Sequence, residues 1–227
     1  MADNKRTWRA QRIQGELLKL GKQVSLETVK KYVRRARKSV PPPKRGQTWA
    51  CDFVQTRDLF FRTILVYFII ELGSRRGVHD GVTRSPSDCW VTQQVREATP
   101  YDERARFLIR DTDKKYGSWF RRVGRDRQIE VVRTAVRAPQ ANGMCERFTG
   151  SVRRECRDHI LIWSERHLHR GMGEYVAYFN PARPHPGIGQ RLPDPPEDDG
   201  PIATAEQPRI VGHPVLGGLH HDYRRAA

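Results

Sequence analysis

The amino-acid sequence predicts an α/β fold in which a mixed five-stranded sheet is flanked by helices. The order of elements is the first reason, because three strand-like segments come first and two more then alternate with helices, as β-β-β-α-β-α-β-α-α. Composition is the second reason. The strand-like segments are rich in aromatic and β-branched residues, whereas the helical ones repeat apolar residues every three to four positions. A chain of 227 residues is long enough for one good-sized core or two small domains.

The first three strands are predicted at residues 48–55, 59–72 and 75–83, and the third returns on the second as a hairpin. In the first strand Asp52 lies on the face opposite the aromatic side chains, because alternate residues of a strand point to opposite faces. Gly77 and Asp80 weaken the third strand, since glycine costs conformational entropy and aspartate is a poor strand former.

The remaining elements of the sheet and its helices follow in alternation. They are predicted as a helix from Ser85-Pro86 to about residue 97, strands at 106–110 and 128–133, a helix starting within 137–154, and a helix at 165–179. Asp111 stands at the C-terminal end of the fourth strand.

The helix that starts within 137–154 separates apolar from polar residues. Met144, Phe148 and Val152 recur every four positions and share one face, which predicts the core side. Glu146 lies off that stripe, on a polar face with Asn142 one turn before it and Arg153 about two turns after it.

Charge divides the chain into regions. The net charge is +16, which indicates a polyanionic partner, and residues 1–47 hold 14 Lys and Arg against 3 Asp and Glu. We predict a basic DNA-binding segment at 1–38, a proline-rich linker at 39–47, a folded core at 48–190 and an irregular C-terminal tail at 191–227. The prolines around residues 41–43 favour an extended spacer, and the tail is rich in Pro, Gly and acidic residues.

The basic segment has the outline of a helix-turn-helix. Apolar periodicity predicts a helix over residues 8–20, Gly21 is a natural stop, and Ser25 is an N-cap for a second helix to about residue 37. Four basic residues of the second helix would meet phosphates or groove edges: Lys30, Lys31, Arg34 and Arg35. A plain helical hairpin with basic solvent faces fits the same pattern.

The four cysteines contain no CxxC pair, so a zinc ribbon or a thioredoxin-type motif is not indicated. They suit a reducing compartment, where they pack as small apolar residues. The longest apolar run, residues 64–70, is far short of the ~20 residues that a membrane helix needs.

Three carboxylates stand on separate elements: Asp52 on the first strand, Asp111 after the fourth and Glu146 on the helix after the fifth. Between them lie 58 residues and then 34 residues. Three carboxylates brought together cannot all stay charged without a cation. Hard oxygen ligands favour Mg²⁺ or Mn²⁺, and two such ions about 4 Å apart can activate an attacking oxygen and stabilise a leaving one. Water as the attacking group would give hydrolysis, and a DNA 3′-OH would give strand transfer.

Three motifs occur in the order of a known family: Trp49-Ala-Cys-Asp52, Ile109-Arg-Asp111-Thr-Asp-Lys-Lys-Tyr116, and Pro139-Gln-Ala-Asn142-Gly-Met-Cys-Glu146-Arg147. They resemble the catalytic blocks of the integrase core, the DDE family of retroviral integrases and of integrase-like transposases of bacterial insertion sequences. The 34-residue gap resembles that family's spacing, and residues 178–185 resemble the segment that often closes the bacterial core. The resemblance covers residues 48–190 and implies an RNase H-like fold.

The resemblance also implies roles for individual residues. Asp52, Asp111 and Glu146 would be the catalytic residues and metal ligands, holding two Mg²⁺ or Mn²⁺ ions. Residues near DNA would be Lys114, Lys115, Asn142, Arg147 and Arg153. Asp113 stands where many relatives have glycine, but spacing and motif register favour Asp111 as the second ligand. The implied partners are double-stranded DNA, both element ends and target, and further copies of the chain on that DNA, in a cytoplasmic, nucleoid-associated protein.

The leading hypothesis is therefore a recombinase or transposase core that carries out metal-dependent DNA cleavage and strand transfer. A truncated, inactive DNA-binding remnant that regulates element ends is the alternative, since the basic segment would suffice for it. An RNase H-like nuclease acting on RNA–DNA hybrids shares the metal chemistry, although the predicted helix-turn-helix argues against it.

Overall fold

The computed structural model describes residues 23–29, 48–100, 105–113, 115–133, 139–195 and 210–225, without the side chains of 139–142 and 225. Most of the basic N-terminal segment and the linker at 39–47 lie outside these residues, and so do Lys30, Lys31, Arg34 and Arg35. Within 23–29, residues 26–29 are helical. The Ser25 hydroxyl accepts a hydrogen bond from the Thr28 N–H at 3.1 Å, as expected of an N-cap.

A mixed sheet of five strands forms the centre of the fold, as predicted. The strands are β1 (Thr48–Arg57), β2 (Thr63–Glu71), β3 (Gly77–Thr83), β4 (Phe107–Arg110) and β5 (Glu130–Arg133), in the spatial order β3-β2-β1-β4-β5. The first three are antiparallel neighbours, whereas β4 and β5 run parallel to β1. Because β4 and β5 are parallel, their C-terminal ends lie at the same edge of the sheet.

Four helices cover the two faces of this sheet: α1 (Asp88–Glu97), α2 (Ser118–Asp126), α3 (Pro139–Glu155) and α4 (Glu165–Phe179). One face packs on α1 and α2 through side chains such as Tyr67, Val91 and Phe120. The opposite face packs on α3 and α4 through Phe68, Phe148 and other buried residues. No helix in the described ranges is long and apolar enough to cross a membrane.

Helix α3 buries the face that its sequence predicts. Phe148 and Val152 are buried, Met144 is partly buried, and Cys145 joins them in the core. Phe148 contacts Phe68 of β2 with ring centroids 5.1 Å apart. Because this stripe faces the sheet, Glu146 is left on the exposed side of the helix.

Helix α1 and helix α2 are joined by one carboxylate. Asp88, the first residue of α1, accepts hydrogen bonds from the backbone N–H groups of Gly117, Trp119 and Phe120 at 2.9–3.0 Å. These N–H groups belong to the start of α2, where they have no partner within the helix. Asp88 therefore fixes the loop that follows Asp111.

The third strand forms despite Gly77 and Asp80, because side chains of α4 cover it. Asn180 accepts a hydrogen bond from the Gly77 N–H at 2.8 Å and donates one to the Gly77 carbonyl at 2.9 Å. The pairing of β2 with β3 shifts at this point, where Ile70 faces Gly77 and the register irregularity falls between Ile69 and Ile70. A side chain at Gly77 would meet Val176 of α4 at 3.3 Å, so the glycine permits close packing.

Two elements begin later than the sequence patterns predict. β2 starts at Thr63 because residues 58–62 form a tight turn, in which Asp58 accepts hydrogen bonds from the N–H groups of Phe60 and Arg62. Helix α1 starts at Asp88 because Ser87 caps it, with its hydroxyl accepting from the Trp90 N–H at 3.1 Å. A local side-chain acceptor decides the boundary in both cases.

The prediction of an irregular tail at 191–227 is wrong for residues 210–225. Strands β6 (Ile210–Val215) and β7 (His220–Arg225) pair there as an antiparallel hairpin. His220 stacks on Tyr178 of α4 with ring centroids 5.3 Å apart, which anchors the hairpin to the core. Glycine and proline content pointed to irregular structure, but the pairing depends on this non-local support.

Candidate active site

The register of the sheet brings Asp52 and Asp111 next to each other. On the parallel pair, Thr48 of β1 faces Phe107 of β4 and Ala50 faces Ile109. Asp52 and Asp111 each lie two residues further along, and Asp111 directly follows the last residue of β4. Continuing the register of the two strands, which run about 4.8 Å apart, would place these aspartates opposite one another. Their side chains lie on the α3 side of the sheet by alternation, since Ala50 and Ile109 pack in that core.

Both aspartates are partly buried and locally oriented. Asp52 accepts a hydrogen bond from the Phe53 N–H at 2.8 Å, and Asp111 accepts one from the Asp113 N–H at 3.1 Å.

Helix α3 brings Glu146 to the same region through the buried residue beside it. Burial raises the pKa of the Cys145 thiol well above its ordinary value, and the negative charges of Asp52, Glu146 and Asp111 raise it further. All three carboxylates therefore lie within electrostatic reach of one buried sulfur atom. Charged groups of the same sign around one point are the arrangement that a bound cation stabilises.

The donor chemistry of this site suits a hard divalent cation. The three residues offer only carboxylate oxygens, which Mg²⁺ and Mn²⁺ prefer over softer ligands. In the described ranges no group of three or more His, Cys, Asp or Glu side chains is close enough to form a finished metal site.

Asp113, the competing aspartate of the second motif, is engaged elsewhere. It forms an ion pair with the Lys115 ammonium group and accepts a hydrogen bond from the Lys115 N–H at 3.1 Å. Lys115 also lies over the Phe53 ring, 4.9 Å from its centroid. The structure therefore holds Lys115, predicted to lie near DNA, in a local cluster with Asp113 and Phe53. Lys114 lies outside the described residues.

The basic residues predicted on α3 differ in their surroundings. Arg147 is exposed beside Glu146 and lines a cavity of about 710 Å³. Arg153 is exposed and pairs with Asp158 at 3.2 Å. Asn142 lies in the first turn of α3, one turn before Glu146, and its side chain lies outside the described atoms.

The segment after α4 attaches to α3 by an ion pair that sequence patterns do not reveal. Arg183 binds both carboxylate oxygens of Glu155, which also accepts a hydrogen bond from the Tyr175 hydroxyl at 2.9 Å. Burial opposes ionisation of Glu155, but its hydrogen bond with Arg183 prevails and lowers its pKa. In the sequence, Glu155 follows two arginines at the end of α3 and is expected to be exposed. Its pairing with Arg183 becomes visible only in the folded structure.

His185 is held in its neutral form next to this ion pair. It is buried against the Phe179 ring with centroids 4.4 Å apart, and its Nε2 lies 3.2 Å from Arg183 Nη1. Burial, and then the charges of Arg183 and Arg75, lower its pKa to about 4. The neutral ring accepts a hydrogen bond that a protonated ring would refuse.

Comparison with known proteins agrees with this architecture. Residues 127–193 match the family model described as the integrase core domain. No curated protein matches this sequence significantly. Among solved structures, the chain is similar to the HTLV-2 integrase catalytic core domain in complex with magnesium in its dimeric form, at 11% identity and a TM-score of 0.53, covering 66% of this chain and 94% of that one.

Two further solved structures show the same likeness. The simian T-cell lymphotropic virus intasome in complex with the PP2A regulatory subunit B56 gamma is 13% identical with a TM-score of 0.54, covering 92% of this chain and 82% of that one. The BIV integrase catalytic core domain is 14% identical with a TM-score of 0.50, covering 65% and 91%. The fold of this chain is thus the RNase H-like fold of integrase cores.

Proposed function

We propose that this protein is a DNA recombinase of the transposase type, which cleaves DNA phosphodiester bonds and joins the ends to a target. The observation that carries this proposal is the shared register of Asp52 and Asp111, with Glu146 on the helix that packs against the same face. The integrase-core match of residues 127–193, which contains Glu146, supports the same class of reaction.

In this proposal Asp52, Asp111 and Glu146 hold two divalent cations, Mg²⁺ or Mn²⁺. The ions would supply activation of the attacking oxygen and charge stabilisation at the phosphate. One solved structure similar to this chain is that of an integrase core in complex with magnesium, which supports this choice of metal. The protein contributes positioning, because the strands and α3 fix the three carboxylates relative to the DNA that lies against them.

The basic residues around the carboxylates would bind the DNA backbone. Arg147 and Arg153 on α3, and the Lys115 ammonium group beside Asp113, carry positive charge close to the site. Charge-assisted hydrogen bonds to phosphates position a duplex without reading its sequence. Lys114 and Asn142 would add to this surface.

Recognition of element ends would fall to the basic N-terminal segment. Residues 1–38 would form the DNA-binding unit, with Lys30, Lys31, Arg34 and Arg35 on its second helix, joined by the linker at 39–47 to the core at 48–190. An origin in a bacterial insertion sequence fits the motif at residues 178–185. The solved relatives include dimeric and intasome forms, which supports assembly of several copies on DNA.

The test uses labelled duplexes that carry the terminal repeats flanking the gene. Nicking and joining are followed with Mg²⁺ or Mn²⁺ for wild type and for Glu146→Gln, which keeps the side-chain shape and removes the charge. We expect metal-dependent products that Glu146→Gln loses by at least ~100-fold, as catalytic electrostatic groups typically contribute. Asp113→Asn is the matched control, since that carboxylate pairs with Lys115, and it should retain most activity.

Two results would contradict the proposal. Products unchanged in Glu146→Gln would exclude the carboxylate assignment. Duplex binding with no products in any variant or metal would favour a DNA-binding protein without catalytic activity.

A further inference from the structure

The cavity beside α3 is an open groove with an unusual concentration of arginines. Its floor is the α3 stripe Glu146, Arg147, Gly150 and Arg154, and its opposite wall combines the β2–β3 turn at Arg75 with residues 183–187. Its volume is about 710 Å³. The groove begins at Glu146, one of the three candidate ligands, and runs towards the C-terminal end of the helix.

Arg75 is built into the wall of this groove. Its backbone adopts a φ of 68°, a left-handed conformation that is uncommon for residues with side chains. One guanidinium nitrogen donates to the Gly187 carbonyl at 3.1 Å, while Nε is buried with no hydrogen-bond partner among the described residues. Leaving a buried donor without a partner costs free energy.

Glycines make room for the arginines. A Cβ at Gly187 would lie 2.5 Å from Arg75 Nη1, so the guanidinium rests directly on the glycine backbone. A Cβ at Gly150 would lie 3.0 Å from Arg154 Nη1, so the Arg154 guanidinium lies along the floor of α3. Because Gly187 and Gly150 have no side chains, the two guanidinium groups can occupy the space next to the glycine backbone.

The charges of the groove do not cancel. Arg183 is paired with Glu155, His185 is neutral, and Glu71, which also lines the groove, is paired with Arg76 at 3.8 Å. Among the described residues, no carboxylate is within ion-pair distance of Arg75, Arg147 or Arg154. Burial, and then the charge of Arg147, lower the pKa of Arg75, as expected when two cations share a site.

We propose that Arg75, Arg147 and Arg154 form a phosphate-binding groove that holds the backbone of a DNA strand along α3, leading into the carboxylate site at Glu146. The inference rests on the proposed function, because it takes DNA as the polyanion. Among the described residues these three guanidinium groups have no carboxylate partner, and they line one open channel that includes the candidate ligand Glu146, as a chain of phosphates would require.

The length of the groove suits a short run of nucleotides. Glu146 and Arg154 are eight residues apart on α3, a rise of about 12 Å along the helix. Phosphates of one DNA strand are spaced about 3.4 Å along the duplex axis, so the floor spans about three of them. Arg147 lies near the carboxylate end and Arg154 near the far end.

The experiment measures binding of a fluorescein-labelled duplex by anisotropy over a series of salt concentrations. The full chain is used as wild type, Arg75→Gln, Arg154→Gln, the double variant and Gly187→Ala. Arg121→Gln is the matched control, because Arg121 is exposed on α2 across the sheet. Each groove substitution should weaken binding roughly tenfold at low salt and reduce the slope of log K against log salt by about 1, and the double variant by about 2.

Further variants separate charge from folding. Arg154→Lys keeps the charge and should retain the wild-type slope. Gly187→Ala keeps every charge but displaces the Arg75 guanidinium, so it should weaken binding in the direction of Arg75→Gln. Thermal unfolding of each variant checks that the fold is intact, and the exposed Arg154 provides the test if Arg75 variants do not fold.

The proposal is refuted if Arg154→Gln and Arg75→Gln bind the duplex with the same affinity and the same salt dependence as Arg121→Gln. This outcome is distinguishable from failure of the proposed function, which Glu146→Gln reports. If the protein is a recombinase but the groove does not bind DNA, Glu146→Gln still abolishes products while the arginine variants bind the duplex as wild type does. If the groove binds DNA but the protein is not a recombinase, no variant gives products, and the arginine variants still reduce the slope of log K against log salt.

Discussion

Asn180→Ala removes the contact that attaches the edge strand β3 to α4. The Asn180 carboxamide satisfies both backbone groups of buried Gly77, through hydrogen bonds of 2.8 and 2.9 Å. Truncation to alanine leaves the Gly77 N–H and carbonyl without these partners, and leaving a buried polar group unsatisfied costs about 1–3 kcal/mol. Two such groups, partly reached by water at the edge of the sheet, predict a loss of about 2–4 kcal/mol in the free energy of unfolding.

The assay is urea unfolding followed by far-UV circular dichroism, with the thermal midpoint as a second measure. For a chain of this size about 1 kcal/mol corresponds to 2–4 °C, so the midpoint should fall by roughly 5–15 °C. Gln93→Ala is the control, since it truncates an exposed amide on α1 that donates a hydrogen bond to Glu97, and it should change stability by less than ~0.5 kcal/mol. A loss for Asn180→Ala no larger than that of the control would refute the reasoning.

Three further predictions follow from single contacts. His185 has a pKa of about 4 when folded, whereas the unfolded residue titrates near 6.5. The unfolded chain therefore binds the extra proton between these values, and stability should fall as the pH drops from 6.5 to 4, by about 1–3 kcal/mol after allowance for solvent screening. Urea unfolding across this range should show a flatter dependence for His185→Gln, and parallel curves would contradict it. Asp88→Ala should destabilise the fold by about 1–2 kcal/mol, because it uncaps α2, and equal unfolding midpoints of variant and wild type would argue against that role. In the native protein a thiol reagent should modify Cys89 quickly and the buried Cys51, Cys145 and Cys156 only on unfolding, as peptide mass spectrometry can follow; rapid modification of Cys145 would mean that α3 does not seal the core.

Sequence patterns predicted the element order and most of the core. The helix expected at 165–179 is found at Glu165–Phe179, and the four-residue apolar repeat of α3 identified its buried face. These features depend on periodicity within one segment, which the order of residues determines directly. Boundaries set by a single side-chain acceptor, at Asp58 and Ser87, were missed because many similar residues occur in turns.

The structure of the C-terminal tail, in contrast, could not be predicted from local sequence patterns. Residues 210–225 pair as a hairpin that rests on α4 through His220 and Tyr178, a contact between segments more than 40 positions apart in the sequence. Local composition carries no information about such a contact. The same is true of Asn180, because its hydrogen-bond partner Gly77 lies 103 positions earlier in the sequence.

For the candidate site, the sequence by itself named three carboxylates on three separate elements, and their role as metal ligands stays a prediction. Only the tertiary structure decided that Asp52 and Asp111 share a register on adjacent strands and that Asp113 is engaged by Lys115. It alone revealed that Arg75 and Arg154, which no motif marks, line one groove. The physical reason is that residue type and spacing specify which chemical groups are available, whereas strand register and helix packing specify which of those groups meet.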